Sequence, residues 1–202
     1  MTILTEKEAE DFLEKAGFRV VKRVLIKNKE ELKQVKIQFP WVMKISSKHI
    51  VHKAKIGGTK LGIKTFEEAE ETLEKLCSIH NCEDVLVQEF IEGKEFIIGV
   101  KHTPEFGKVI MFGKGGSKVE EDKDISFRVA PLQNKDIEEM INELRSFESL
   151  KKEVNIDQIK KSLLKMSELA ITNPNIDELD INPLIVNKEK AWVVDARIEI
   201  KD

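Results

Sequence analysis

Apolar residues along this chain recur with two different periods. Ala9, Phe12 and Leu13 repeat at helical spacing behind Thr5 and Glu8, which together read as a capping box, and Gly17 stops the run. Alternation over residues 19–26 predicts a strand, "NKEELKQVKIQF" a short helix ended by Pro40, and "WVMKISS" the next strand. Residues 49–62 read as a glycine-bearing loop. In "TFEEAEETLEKLCSIH", Phe66, Ala69, Leu73 and Leu76 fall on one helical stripe. Strand-like runs follow at 85–91, 95–101 and 108–112, and "SFRV" continues the pattern beyond a glycine turn. Helical periods return at 135–145 and 157–171, and strands close the chain around 184–186 and 192–195. A βαβαβ order followed by an antiparallel meander, helices and a terminal hairpin puts the fold class at α+β or mixed α/β.

Composition narrows the function classes. With 202 residues, 41% hydrophobic and 35% charged, the chain has material for two lobes or two small domains. Its net charge of -3 comes from interspersed acids and bases, which argues against a nucleic-acid partner. The apolar runs are strand-sized, well short of the roughly 20 residues that span a bilayer, so no membrane association is expected. The acidic amphipathic start lacks the basic and apolar regions of a secretory signal, so a cytoplasmic location is expected. Cys77 and Cys82 lack the paired spacing of a zinc site and read as free thiols; His49, His52, His80 and His102 are scattered.

Four stretches carry candidate chemistry. In "EFGKVIMFGKGGSKVEEDKDISFRVAPL", Gly113, Gly115 and Gly116 flank Lys114 between two strands, and Arg128 follows. A loop so rich in glycine lets backbone approach a phosphate. Lys44 interrupts an apolar strand, which fits either a solvent-facing edge or a buried anion. "HKAKIGGTKLG" surrounds Gly57 and Gly58 with His52, Lys53, Lys55 and Lys60, as a phosphate loop or a solvated turn would. In "ELDINPLIVNKEKAWVVDARI", Asp180, Asn182 and Asp195 offer oxygen ligands on two runs that a hairpin could bring together for a magnesium ion; turn and strand-end roles suit the same residues. For the two glycine loops, the arginine and the acidic hairpin, one site for a magnesium-bound nucleoside triphosphate is a more economical reading than four coincidences.

In this order, "MKISSKHIVHKAKIGG", "VLVQEFIEGKEFIIGV", the GKGG segment and "DELDINPLIV" with "VVDARI" resemble the ATP-grasp subunit of ADP-forming acyl-CoA synthetases, with the β subunit of ADP-forming acetyl-CoA synthetase as the type. The family is similar in fold to succinyl-CoA synthetase β subunits, whose metal hairpin also reads "INPL" and then "DA". The resemblance covers nearly the whole chain. It implies an α+β ATP-grasp fold with two lobes clasping a nucleotide: residues 18–88 as the first lobe, 1–17 and 89–202 as the second.

The resemblance further implies that Lys44, Gly57 and Gly58 contact nucleotide phosphates, and that Gln88, Glu89 and Ile91 belong to a hinge offering backbone groups to adenine. Glu95 would sit near ribose and phosphates, Gly115, Gly116 and Arg128 at the transferred phosphoryl group, and Asn182 and Asp195 on Mg2+, supported by Asp180. His52 would accept a phosphoryl group from a phosphohistidine of the partner and pass it to ADP. The implied cofactors are ATP/ADP and Mg2+. The implied partner is a CoA-binding α subunit, so the enzyme would be an acid–thiol ligase active only in a hetero-oligomer. Ala54-Lys55 replaces the family's usual Ser-Asp, and Lys114 its usual leucine. These departures leave open a non-catalytic, regulatory nucleotide-binding subunit.

Overall fold

The computed structural model describes residues 1–47, 53–116 and 123–201. In chain order the elements are β1 (Thr2–Ile3), α1 (Glu6–Lys15), β2 (Arg23–Ile26), α2 (Lys29–Leu32), β3 (Trp41–Ser46), a 3-10 turn (Lys53–Ile56), β4 (Thr59–Ile63), α3 (Phe66–Cys77) and β5 (Asp84–Glu89). They continue with β6 (Lys94–Thr103), β7 (Gly107–Lys114), β8 (Ile125–Val129), α4 (Asn134–Glu143), α5 (Phe147–Leu150), α6 (Ile156–Thr172), β9 (Ile176–Val186), β10 (Ala191–Val193) and β11 (Ala196–Ile200). The chain forms two compact units: Val21–Ile91, and Met1–Val20 together with Glu92–Asp202.

The smaller unit is an antiparallel sheet in the order β2-β5-β3-β4. Strand alternation sends Trp41, Met43 and Ile45 of β3 and Val85 and Val87 of β5 into a core with Ala69, Leu73 and Leu76 of α3. The opposite face of these strands therefore carries Val42, Lys44, Leu86 and Gln88. β4 lies where the glycine-bearing sequence reads as loop, because its pairing with β3 outweighs a composition poor in strand signals. The helix foreseen up to Pro40 is only one turn long, since Val35 and Ile37 leave the helical path and pack on the core instead.

α3 begins at Thr65, whose hydroxyl accepts from the Glu68 N–H, with Glu67 and Glu68 in the first turn favouring the positive end of the helix dipole. Thr65→Ala is expected to lower stability by about 1 kcal/mol. The check is a lower urea midpoint with an unchanged slope.

The larger unit is an antiparallel sheet in the order β1-β11-β9-β6-β7-β8, with β10 beside β9. One face is apolar: Phe96, Ile98 and Val100 of β6, Ile110 and Phe112 of β7, and Leu179 and Ile181 of β9 share a core with Ile137 and Met140 of α4 and Ile159, Leu163 and Met166 of α6. Phe96 stacks on Phe112 at 5.6 Å between ring centroids.

β9 runs longer than its apolar pattern suggests because it changes phase. Odd positions Leu179 and Ile181 are buried in its first half, even positions Leu184 and Val186 in its second. The switch occurs where Phe96 pairs with Leu184 but Ile98 pairs with Ile181, so Asn182 and Pro183 together face Ile97. Two residues against one make a bulge, and the Asn182–Pro183 peptide is cis.

Candidate functional site

In the larger unit the bulge and the end of β7 converge. The Gly115 N–H donates to the Glu95 carbonyl at 2.8 Å. A Cβ at Gly115 would come within 2.6 Å of the Phe96 backbone, so only glycine lets the chain pass so close over β6. Gly116 has φ +102, and a Cβ there would lie 2.5 Å from the Glu95 carboxylate. Its N–H donates to Asn182 Oδ1 at 3.4 Å, and the Asn182 N–H donates in turn to the Asp195 carbonyl at 3.1 Å. Glu95, Gly115, Gly116, Asn182 and Asp195 are thus one continuous set, carrying two carboxylates and an amide oxygen. The glycines have an internal reason as well: they thread this turn against β6.

Asp180 lies one step along β9, opposite Gly99 on β6 and Arg197 on β11. A Cβ at Gly99 would overlap the Asp180 carboxylate, so a glycine inside a strand marks the space that Asp180 fills. Burial, followed by the neighbouring Glu178 carboxylate, pushes the Asp180 carboxyl up to about 7, with Arg197 and Lys101 opposing. Glu178 is held below its usual range chiefly by its hydrogen bond from Lys101 at 2.7 Å, so the proton of the pair resides on Asp180.

The unfolded Asp180 side chain ionises near 3.8 while the folded one keeps its proton to about 7. Stability from this group is therefore fully present at acidic pH, falls as pH rises between those values, and levels off above them. Asp180→Asn should flatten that slope in urea midpoints measured from pH ~4 to ~8. The surrounding Glu178, Lys101 and Arg197 network was not foreseen; Gly99 within "EFIIGVK" was its one sequence signal.

Arg128 is placed elsewhere. It pairs with Ile110 across the β7–β8 ladder, on the helix-covered face of the sheet, whereas Glu95 and Asp180 point from the other face. There its guanidinium binds Glu143, which also takes the Ser126 hydroxyl, and reaches Glu139 at 3.3 Å. The Glu143 carboxyl is held down first by Arg128 and then by Ser126. Among the described residues Arg128 lies not at the glycine turn but beside α4, where strand parity turns it.

In the smaller unit Lys44 and Gln88 are both buried and lie on the face away from α3. This excludes the solvent-edge alternative for Lys44. Gly57 has φ +73 with open space beside it. Gly58 is committed internally: its N–H donates to the Lys53 carbonyl at 2.8 Å and its carbonyl accepts the Ile45 N–H at 2.9 Å. Its missing Cβ makes room for Ile45 Cδ1, at 2.8 Å from where it would stand. Along residues 88–91 the Glu89 N–H donates to the Lys22 carbonyl at 2.9 Å and the Phe90 N–H to the Pro40 carbonyl at 3.1 Å; Ile91 closes the unit. His52 and the side chains of Ala54 and Lys55 lie outside the described residues.

Among the described residues no helix is long and apolar enough to cross a membrane, and no three His, Cys, Asp or Glu side chains cluster as a metal site.

A family model described as an ATP-grasp domain matches residues 1–200. The β subunit of acetate–CoA ligase [ADP-forming] I of Pyrococcus furiosus is 37% identical over 212 residues, covering 96% of this chain and 90% of that subunit. Acetate–CoA ligase [ADP-forming] II of Archaeoglobus fulgidus is 38% identical over 205 residues; the match covers 98% of this chain but only 30% of that longer protein. Among solved structures, dinucleotide-forming acetyl-coenzyme A synthetase 1 of Candidatus Korarchaeum cryptofilum, in complex with coenzyme A, Ca-AMPCP and HgCl+, matches with a TM-score of 0.92 at 37% identity, covering 98% of this chain and 93% of that one. The same protein with coenzyme A and Mg-AMPPCP, its phosphohistidine segment pointing towards the nucleotide binding site, matches with a TM-score of 0.84 at 36% identity and the same coverage. A family match along nearly the whole length and near-complete coverage of a β subunit carry one conclusion: this chain belongs to the ATP-grasp family, among the β subunits of ADP-forming acetate–CoA ligases.

Proposed function

We propose that this chain is the nucleotide-binding subunit of an ADP-forming acyl-CoA synthetase, with acetyl-CoA as the first candidate substrate. A separate CoA-binding subunit would pass it a phosphoryl group through a phosphohistidine. Val21–Ile91 and the remainder of the chain are then the two ATP-grasp lobes. The observation that carries the reading is the continuous set of Glu95, Gly115, Gly116, Asn182 and Asp195, built around a turn that brings backbone against side-chain oxygens.

The Asn182 and Asp195 oxygens suit a hard cation such as Mg2+, which takes few protein ligands and fills its shell with water and phosphate oxygens. When bound, Mg2+ would neutralise charge on the phosphates. Lys44, on a buried face, would supply positive charge to the nucleotide phosphates. Ile91 would offer the hinge N–H to the base, since those of Glu89 and Phe90 are already engaged. His52 would take the phosphoryl group on a ring nitrogen and release it to a terminal oxygen of ADP.

The test is reconstitution with a CoA-binding subunit, acetyl-CoA, phosphate, magnesium and ADP. ATP should accumulate in the complete mixture and in none lacking a component. Failure to form ATP, with every CoA-binding partner and acyl-CoA tried, would overturn the reading.

A further inference from the structure

Cys77 is the last residue of α3 and is exposed; Cys82 follows it by five positions and is half-buried. The chain between them curls back on itself. The Ser78 N–H donates to the Glu74 carbonyl, Ile79 to Leu76, and Cys82 to Ile79, each at 3.1 Å, while Asn81 takes φ 65 to complete the turn. The Cys77 thiol is near enough to that of Cys82 to act on its ionisation, and the Cys82 thiol donates to the Asp84 carbonyl at 3.6 Å. Both are free thiols. With four residues between them, bringing the sulfurs together carries little further loop-closure cost once the turn has formed.

We infer that Cys77 and Cys82 form a redox-modification site that closes to a reversible intramolecular disulfide when a small aliphatic disulfide oxidises the chain. Cys77, the accessible member, loses its proton to water and attacks one sulfur of the reagent. An S–S bond forms to Cys77 while the reagent's own S–S bond breaks, releasing one thiolate. Cys82 then loses its proton and attacks the Cys77 sulfur, forming the internal bridge and expelling the second thiolate. Two electrons and two protons pass from the protein pair to the reagent, which leaves as two thiols.

Burial first, with Cys77, Asp84 and Glu83 adding to it, pushes the Cys82 thiol up to about 11. The second step should therefore accelerate about tenfold per pH unit across the neutral to mildly alkaline range. The bridge would tie the end of α3 to the segment leading into β5, the strand that carries Gln88 and Glu89.

The experiment incubates the reduced full chain with hydroxyethyl disulfide, quenches with acid and weighs the products. Wild type is expected to lose about 2 Da and both titratable thiols, and dithiothreitol should restore them. Cys82→Ser should stop at the mixed disulfide on Cys77. Wild type that accumulates mixed disulfides without the internal bridge, or that couples chain to chain instead, would overturn the inference. Since the chain is weighed without partner or nucleotide, the result is independent of whether the synthetase reading holds.

Discussion

Asp195→Ala is expected to reduce ATP formation by the reconstituted enzyme about 10²- to 10³-fold, with most of the loss in kcat. Asp195 is joined to Asn182 through the backbone, and Asn182 receives the Gly116 N–H on its side chain. Because the contact to Asn182 runs through the Asp195 carbonyl, replacing the side chain leaves that backbone contact in place while removing a hard oxygen ligand. Asp195→Asn separates charge from shape. If the carboxylate holds Mg2+, the Asn variant should need a higher magnesium concentration for half-maximal rate and recover part of the activity when it is supplied. An unchanged magnesium requirement in both variants would sink the assignment of Asp195 as a ligand.

His52→Ala should do more: ATP formation from acetyl-CoA should fall below detection, a loss of at least about 10³-fold, while ADP still binds. A methyl group can neither accept nor release a phosphoryl group, whereas an imidazole nitrogen does both near neutral pH. Trapping the wild type with labelled phosphate and acetyl-CoA, in the presence of the CoA-binding subunit, should leave acid-labile label on this chain. His52→Ala should leave none there. Label that persists in the variant would move the acceptor to another residue, and label confined to the partner subunit would remove the relay through this chain.

The sequence made the regular elements legible where one period persisted: the Thr5–Glu8 capping box is present, and α3 and α6 follow their apolar stripes. It failed where tertiary pairing overrode local pattern. β4 and β11 were not foreseen because their residues acquire strand geometry from β3 and β9. The full length of β9 was hidden by its change of phase, since a pattern of period two broken in the middle reads as two short runs. Proximity of Asn182 to Asp195 could be argued from a hairpin. The face of a strand on which Arg128 falls could not, because a one-residue shift of register moves a side chain to the other side of the sheet. Gly58 and Gly115 illustrate a different limit: a glycine required for close packing of chain on chain looks, in sequence, the same as one poised for a phosphate.

β1 pairs with β11, so residues near the two ends of the sequence are hydrogen-bonded neighbours in one sheet, while Val21–Ile91 forms its own core between them. During synthesis on the ribosome the smaller unit can therefore complete its sheet long before the larger one. α1 and β1 emerge before β11 and must wait for it to be made before their docking site exists. A chaperone or a hydrophobic surface encountered in that interval would meet the apolar stripe of α1, Ala9 and Leu13, before the protein's own strand covers it.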